Sequence, residues 1–224
     1  MFSGITSLVA LTGKPRVAGA YVGASGFSYP SWKPGFYPAG TPSSGFLASY
    51  AERLNSVELN TTGYRLPAEE QFRRWADDTP AGFRFAVKMP HPNRLAVFSE
   101  RVRALGDRLG PVRIVVQQAR DDAFLARLLD SLDPDLDWAL DFRHESWAGA
   151  ETGRAAVVNA FAGEASFRYL RFRDPPYDEP ALAALAKKMR PLVTGETDVY
   201  AYFQHEDEPT APVYALRLVQ LLTV

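Results

Sequence analysis

The sequence predicts an α/β fold, a compact TIM-type (β/α)8 barrel with at least one shortened helix, after the fifth strand. Three observations lead there. Strand-length apolar runs alternate with helical patterns, and eight such strands can be counted along the chain. That alternation implies parallel strands joined by right-handed crossovers. Seven of the strands also aim a polar residue to one side near their C-terminal ends, where barrel enzymes keep their sites. With 224 residues the chain is short for a barrel of ~250 residues. A doubly wound open sheet competes, but no GxGxxG follows the first strand.

Residues 1–18 are expected to be an N-terminal extension outside the fold, with no pattern that demands order, and residues 19–224 a single barrel domain. Ala20 to Gly26 reads as the first strand, followed by a loop that Pro30, Pro34, Gly35 and Pro38 keep irregular. Gly45 to Leu54 carries a helical stripe of Phe46, Leu47, Tyr50, Ala51 and Leu54. The second strand begins at Ser56, and Ala68 to Trp75 is the second helix. Phe83 to Met89 is a strand ended by Pro90, and Phe98 to Leu109 a helix closed by Gly110. Val112 to Gln117 is β-branched and reads as a strand, with a helix capped by Asp121 or Asp122 after it. Leu136 to Phe142, Ala155 to Phe161, Phe167 to Phe172 and Asp198 to Phe203 are the remaining strands. Pro180 to Leu192 and Val213 to Leu222 are helices, while Trp147 to Gly153 is too short to cover a strand.

Composition narrows the chemistry. Hydrophobic residues make up 46% and charged residues 23%, enough apolar material for a real core. The formal net charge of −1 disfavours a generic nucleic-acid binder. There is no cysteine, which removes disulfides, thiolate metal sites and thiol catalysis. The apolar run Ile5 to Leu11 precedes its charges Lys14 and Arg16, the wrong order for a secretory signal. No run is long enough to span a bilayer, so a cytoplasmic location is expected.

The stretch Ser56 to Pro67 organises the candidate site. Val57 and Leu59 lie on one strand face and Glu58 and Asn60 on the other, and a buried carboxylate needs partners. The same parity collects Ser25, Lys88, Gln117, Asp141, Arg143, Asn159 and Arg171, with Arg84 and Arg113 near strand starts as exceptions. A structural ion-pair network is the competing reading of these charges.

Several motifs carry a resemblance. Gly23-Ala24-Ser25-Gly26-Phe27-Ser28-Tyr29 with Trp32 and Phe36-Tyr37-Pro38 opens it, and Val57 through Pro67 is its signature. Phe85-Ala86-Val87-Lys88, Leu109-Gly110-Pro111, Asp141 through Trp147, Tyr169 through Phe172 and Asp198 through Phe203 follow in order. Over about residues 21–222 the chain resembles the YecE-like family, known as domain of unknown function 72. The resemblance implies a TIM-type barrel and a cleft; the family supplies no firmly established reaction. The chain departs from it in loops around the expected pocket. The segment after Lys88 is shortened and lacks the family's Ile-Thr-His, although His91 is nearby. Gln117-Gln118-Ala119 replaces Gln-Leu-Pro, the helix after Trp147 is mostly missing, and Gln204-His205 replaces Asn-Asn.

The leading expectation is an acid–base enzyme, hydrolase-like, acting on a small phosphorylated or sugar-like compound. Glu58 and Asp141 would divide acid and base roles, with His144 a further proton carrier. Lys88, Arg143 and Arg171 would hold an anionic or polyhydroxylated ligand, Ser25, Asn60 and Gln117 would orient it, and Tyr29, Trp32, Tyr64 and Trp147 would wall it. Replacing Glu58 by Gln is expected to abolish turnover without unfolding. A second reading is a metal-dependent endonuclease- or isomerase-like barrel using His91, His144 and His205 with carboxylates such as Glu145 or Glu206, but no HExxH-type motif supports it, and no metal or cofactor is assigned. A third is a non-catalytic nucleic-acid or protein binding module.

Overall fold

A computed structural model describes residues 19–195, 197–204 and 208–223. The expected extension at 1–18, together with His205 and Glu206, lies outside the described residues. Eight strands run in order: β1 (Ala20–Ala24), β2 (Ser56–Leu59), β3 (Arg84–Lys88), β4 (Leu109–Val116), β5 (Trp138–Phe142), β6 (Ala156–Val157), β7 (Phe167–Phe172) and β8 (Asp198–Phe203). Among the described residues six α-helices separate or follow them: α1 (Phe46–Ala51), α2 (Glu69–Asp77), α3 (Leu95–Val102), α4 (Asp122–Ser131), α5 (Glu179–Val193) and α6 (Thr210–Leu222).

Every ladder is parallel, but the strands form two sheets, β1-β8-β7 and β2-β3-β4-β5-β6. The closed ladder expected of a barrel is not present. Side chains bridge both gaps instead. Between β1 and β2, the Tyr50 hydroxyl accepts from Ala24 N at 2.8 Å and donates to Ser56 O at 3.0 Å. Asn55 accepts from Val22 N and donates to Ala20 O, as a neighbouring backbone would. Gly23 permits this approach, because a Cβ there would sit 1.9 Å from Ser56 O. Between β6 and β7, Asn159 N donates to Tyr169 O, and the Asn159 side chain accepts from Arg171 N at 2.6 Å. Asn159 holds φ 67°, a conformation that asparagine tolerates better than most residues.

Several sequence expectations shift. The helix expected at 98–109 is α-helical over Leu95–Val102 and 3-10 over Arg103–Arg108, and Gly110 lies inside β4 instead of closing that helix. The strand at 155–161 shrinks to two residues, because Asn159 turns the chain out of the ladder. The fourth strand starts at Leu109 rather than Val112: a register shift opposite Phe85–Val87 fits the extra residue in as a bulge, with Pro111 inside it. No α-helix follows β5; a 3-10 turn, Glu145–Trp147, stands there, and no helix follows β6 either.

The outer core lies between sheets and helices, where Val57, Leu59, Phe85, Ile114, Leu140 and Leu170 are fully or nearly buried. The proline-punctuated loop is part of it, since Trp32, Phe36 and Tyr37 are buried against one another. An inner layer pairs Tyr169, Tyr200 and Tyr202 with Ala86, Ala139 and Ala156. Small residues on one sheet leave room for rings from the other, and this layer plugs the space beneath the charged residues. Among the described residues no helix is long and apolar enough to cross a membrane.

Candidate functional site

Above that plug, buried charges from both sheets meet. Glu58, third residue of β2, has no exposed surface. Arg171 Nε from β7 donates to its Oε2 at 2.7 Å, and Arg113 Nη2 from β4 lies 2.7 Å from its Oε1. The second contact pairs charges without an aligned hydrogen bond. Arg113 reaches onward with Nη1 to Asp141 Oδ2 of β5 at 2.5 Å. Arg173 Nη2 and Arg143 Nη2 reach the same Asp141 oxygen at 2.7 and 3.1 Å. Ser25 accepts from Arg171 Nη2, and Asn60 Oδ1 from Arg113 Nη2.

The electrostatics are unbalanced. Four guanidiniums surround two carboxylates, and two of the four face solvent, with side chains 33% (Arg143) and 24% (Arg173) exposed. Burial lowers Arg143 below the usual arginine value, and Arg173, Arg113 and Arg171 deepen that against the pull of Asp141. At Arg113 burial pushes the same way, but Glu58, Tyr169 and Asp141 together hold it above the usual value. Tyr169 lies under the cluster and is raised well above an ordinary phenol by burial, then by Glu58. Its hydroxyl has no hydrogen-bond partner among the described residues, nor do Arg113 Nε and Arg173 Nε. Buried polar atoms without partners are uncommon in folded proteins.

The other expected residues are placed differently. Lys88 runs over Gly63 and sets its ammonium 4.5 Å from the centre of the Tyr64 ring, at the rim. Tyr64 is 80% exposed. Gln117 is exposed beyond β4 and makes no side-chain hydrogen bond among the described residues. Trp147 is buried, stacked on Phe142 and donating to Gln118 O at 2.7 Å, so it packs rather than walls a ligand. His144 is exposed and caps the 3-10 turn, with Nδ1 2.8 Å from Ser146 Oγ. His91 engages Asn93 likewise. No group of three metal-ligating residues comes together among the described residues.

Sequence reasoning passed over Arg113 and Arg173. Arg113 looked like a strand start, but β4 begins at Leu109, making it the fifth of eight residues, level with Lys88. The apolar Leu109 ahead of Gly110 and Pro111, with those two discounted, was the available signal. Arg173 continues the parity of Tyr169 and Arg171 one step past β7.

A cleft of about 530 Å3 opens beside the cluster, between α1 and α2. Tyr29 and Asn60 line it. The Tyr29 hydroxyl lies 3.3 Å from Ser25 O, and burial followed by the charge of Glu58 pushes its pKa up to about 12.

These features define a parallel α/β protein with an arginine-rich centre at the C-terminal ends of its strands. The chain belongs to the family described as protein of unknown function DUF72, whose model matches residues 21–224. It is 31% identical over 138 residues to the UPF0759 protein YecE of Escherichia coli (strain K12), covering 55% of this chain and 48% of that protein. The chain thus matches about half the length of this curated relative. Solved structures agree in fold. A DUF72 family protein from Thermotoga maritima MSB8 aligns with a TM-score of 0.75 and 24% identity over 92% of this chain and 99% of that one. One from Enterococcus faecalis V583 gives 0.74 and 17% identity over 92% and 96%.

Proposed function

We propose that this chain is a hydrolase-like acid–base enzyme that binds a small phosphorylated or sugar-like compound, with the anionic end on Arg143 and Arg173. One observation carries the reading: the centre holds two more guanidiniums than carboxylates, and those nearest solvent crowd a single oxygen of Asp141. An arriving phosphate or carboxylate would relieve that crowding, and guanidinium forks suit it in bidentate fashion. A network serving stability alone has no reason to stay cationic.

The roles of the two carboxylates differ in this reading. Both Glu58 oxygens face guanidiniums, so Glu58 positions Arg113 and Arg171. Asp141 takes all its ion pairs on Oδ2, which leaves Oδ1 as the oxygen to exchange a proton with substrate. The two sheets are further read as arcs of one eight-stranded barrel, since side chains bridge both gaps. Gathering the cations around two buried carboxylates rather than along an exposed face speaks against a nucleic-acid role.

The test is calorimetric titration with inorganic phosphate, followed by turnover of sugar phosphates and glycosides. Phosphate should bind, and Arg143→Ala should weaken it by about tenfold or more, the scale of a lost charge-assisted contact. Asp141→Asn should keep binding and lose turnover. Phosphate that does not bind, or binds equally well without Arg143, overturns the reading.

A further inference from the structure

The cleft between α1 and α2 differs in character from the arginine centre. Its hydroxyls, Ser28, Ser43, Ser44 and Thr61, make no side-chain hydrogen bonds among the described residues. They stand around apolar surface from Phe27 and Trp75. The charges at its edge, Arg74 and Asp78, are opposite in sign and give no preference for an anion. A concave wall of hydroxyls and amides beside aromatic rings suits a neutral ligand rich in hydroxyl groups, with polar edges and C–H faces. About 530 Å3 lies within the usual range for small-molecule sites.

The cleft also joins the centre chemically. Asn60 lines it while its Oδ1 accepts from Arg113, the residue between Glu58 and Asp141. Tyr29 lines it too, while its hydroxyl approaches the carbonyl of Ser25, whose own hydroxyl accepts from Arg171. A ligand bridging from one compartment to the other would pass these two side chains.

We propose that this cleft is the specificity half of the site and seats the polyhydroxylated, uncharged part of a sugar phosphate whose phosphate rests on Arg143 and Arg173. The proposal rests on the anion reading above and adds the identity of what the anion is attached to. Neither compartment alone selects the compound: the arginines accept many anions, and the cleft accepts many polyols. The pair selects molecules carrying both at a fixed separation.

The experiment compares dissociation constants for inorganic phosphate, glycerol 3-phosphate, ribose 5-phosphate, glucose 6-phosphate and a disaccharide phosphate, a series of growing reach. At least one sugar phosphate should bind about tenfold or more tighter than inorganic phosphate. Ser44→Trp, which fills the cleft from the α1 side, should bring that ratio close to one. Gln71→Trp fills it from α2 and repeats the test should the first variant fold poorly, as circular dichroism would reveal. Equal binding across the series overturns the proposal and leaves the anion reading standing, as does a preference that survives both tryptophans. If neither phosphate nor any sugar phosphate binds, both readings fall together.

Discussion

Glu58 shows what a buried carboxylate requires. Arg113 and Arg171 are themselves buried, so each of the three charges depends on the others to offset lost hydration. Glu58→Gln removes the negative partner that Arg171 has among the described residues and should destabilise the fold by about 3–5 kcal/mol, the usual cost of stranding a buried charge. Urea unfolding monitored by circular dichroism measures it. This replaces the sequence-based expectation that the same variant would keep its fold. The need for partners was legible from strand parity alone, and so were Asp141, Arg171, Ser25 and Asn60. What parity could not tell was which cation would come. Lys88 has the right parity, yet its flexible stem crosses the bare backbone of Gly63 to the Tyr64 ring. His144 sits one residue from Arg143 and points its Nδ1 back at its own turn.

At the scale of elements, the gaps between sheets rest on single side chains. Tyr50→Phe would leave Ala24 N and Ser56 O without their shared hydroxyl in a fully buried setting. Two unmet backbone groups imply a loss of about 2–4 kcal/mol, measurable as a fall in the urea midpoint at unchanged slope. The lower ends of the strands carry a pH signature. Asp198, at the start of β8, is held above the ordinary aspartate value by burial, against the opposing pull of Arg84. A carboxyl raised on folding favours the folded state while protonated and loses that favour as pH rises through its folded value. Asp198→Asn should therefore raise Tm at neutral pH, and the gain should fade as pH falls through the raised folded value and be gone below 3.8. A gain that grows toward acid would refute it. Strands with simple alternation, such as Phe167–Phe172 and Asp198–Phe203, were read at their true bounds. Those shaped by one odd residue were not: Pro111 hid the start of β4, and Asn159 cut β6 short.

For the molecule as a whole, nearly balanced total charge coexists with a local excess of guanidiniums over carboxylates, and the two respond to salt differently. Partly exposed arginines are screened over about 8–10 Å at ordinary ionic strength, so phosphate affinity should fall as sodium chloride rises. Sugar contacts in the cleft, being uncharged, should not share that slope. Repeating the titrations across a salt series separates them. The parallel α/β class was readable from alternation of elements, whereas the split into two sheets was not, because a hydroxyl or an amide standing in for a ladder leaves no periodic trace.

One pairing constrains how the chain can assemble. Among the described strands β1 is made first, yet its ladder partner is β8, which comes after every other one. The N–H and C=O groups on its β8 side must wait, solvated or guarded by a chaperone, while the intervening sequence leaves the ribosome, whereas Asn55 and Tyr50 can already meet those on the other side. A nascent chain halted before Asp198 should accordingly display residues 20–24 to proteases, and only release of the full-length product should conceal them.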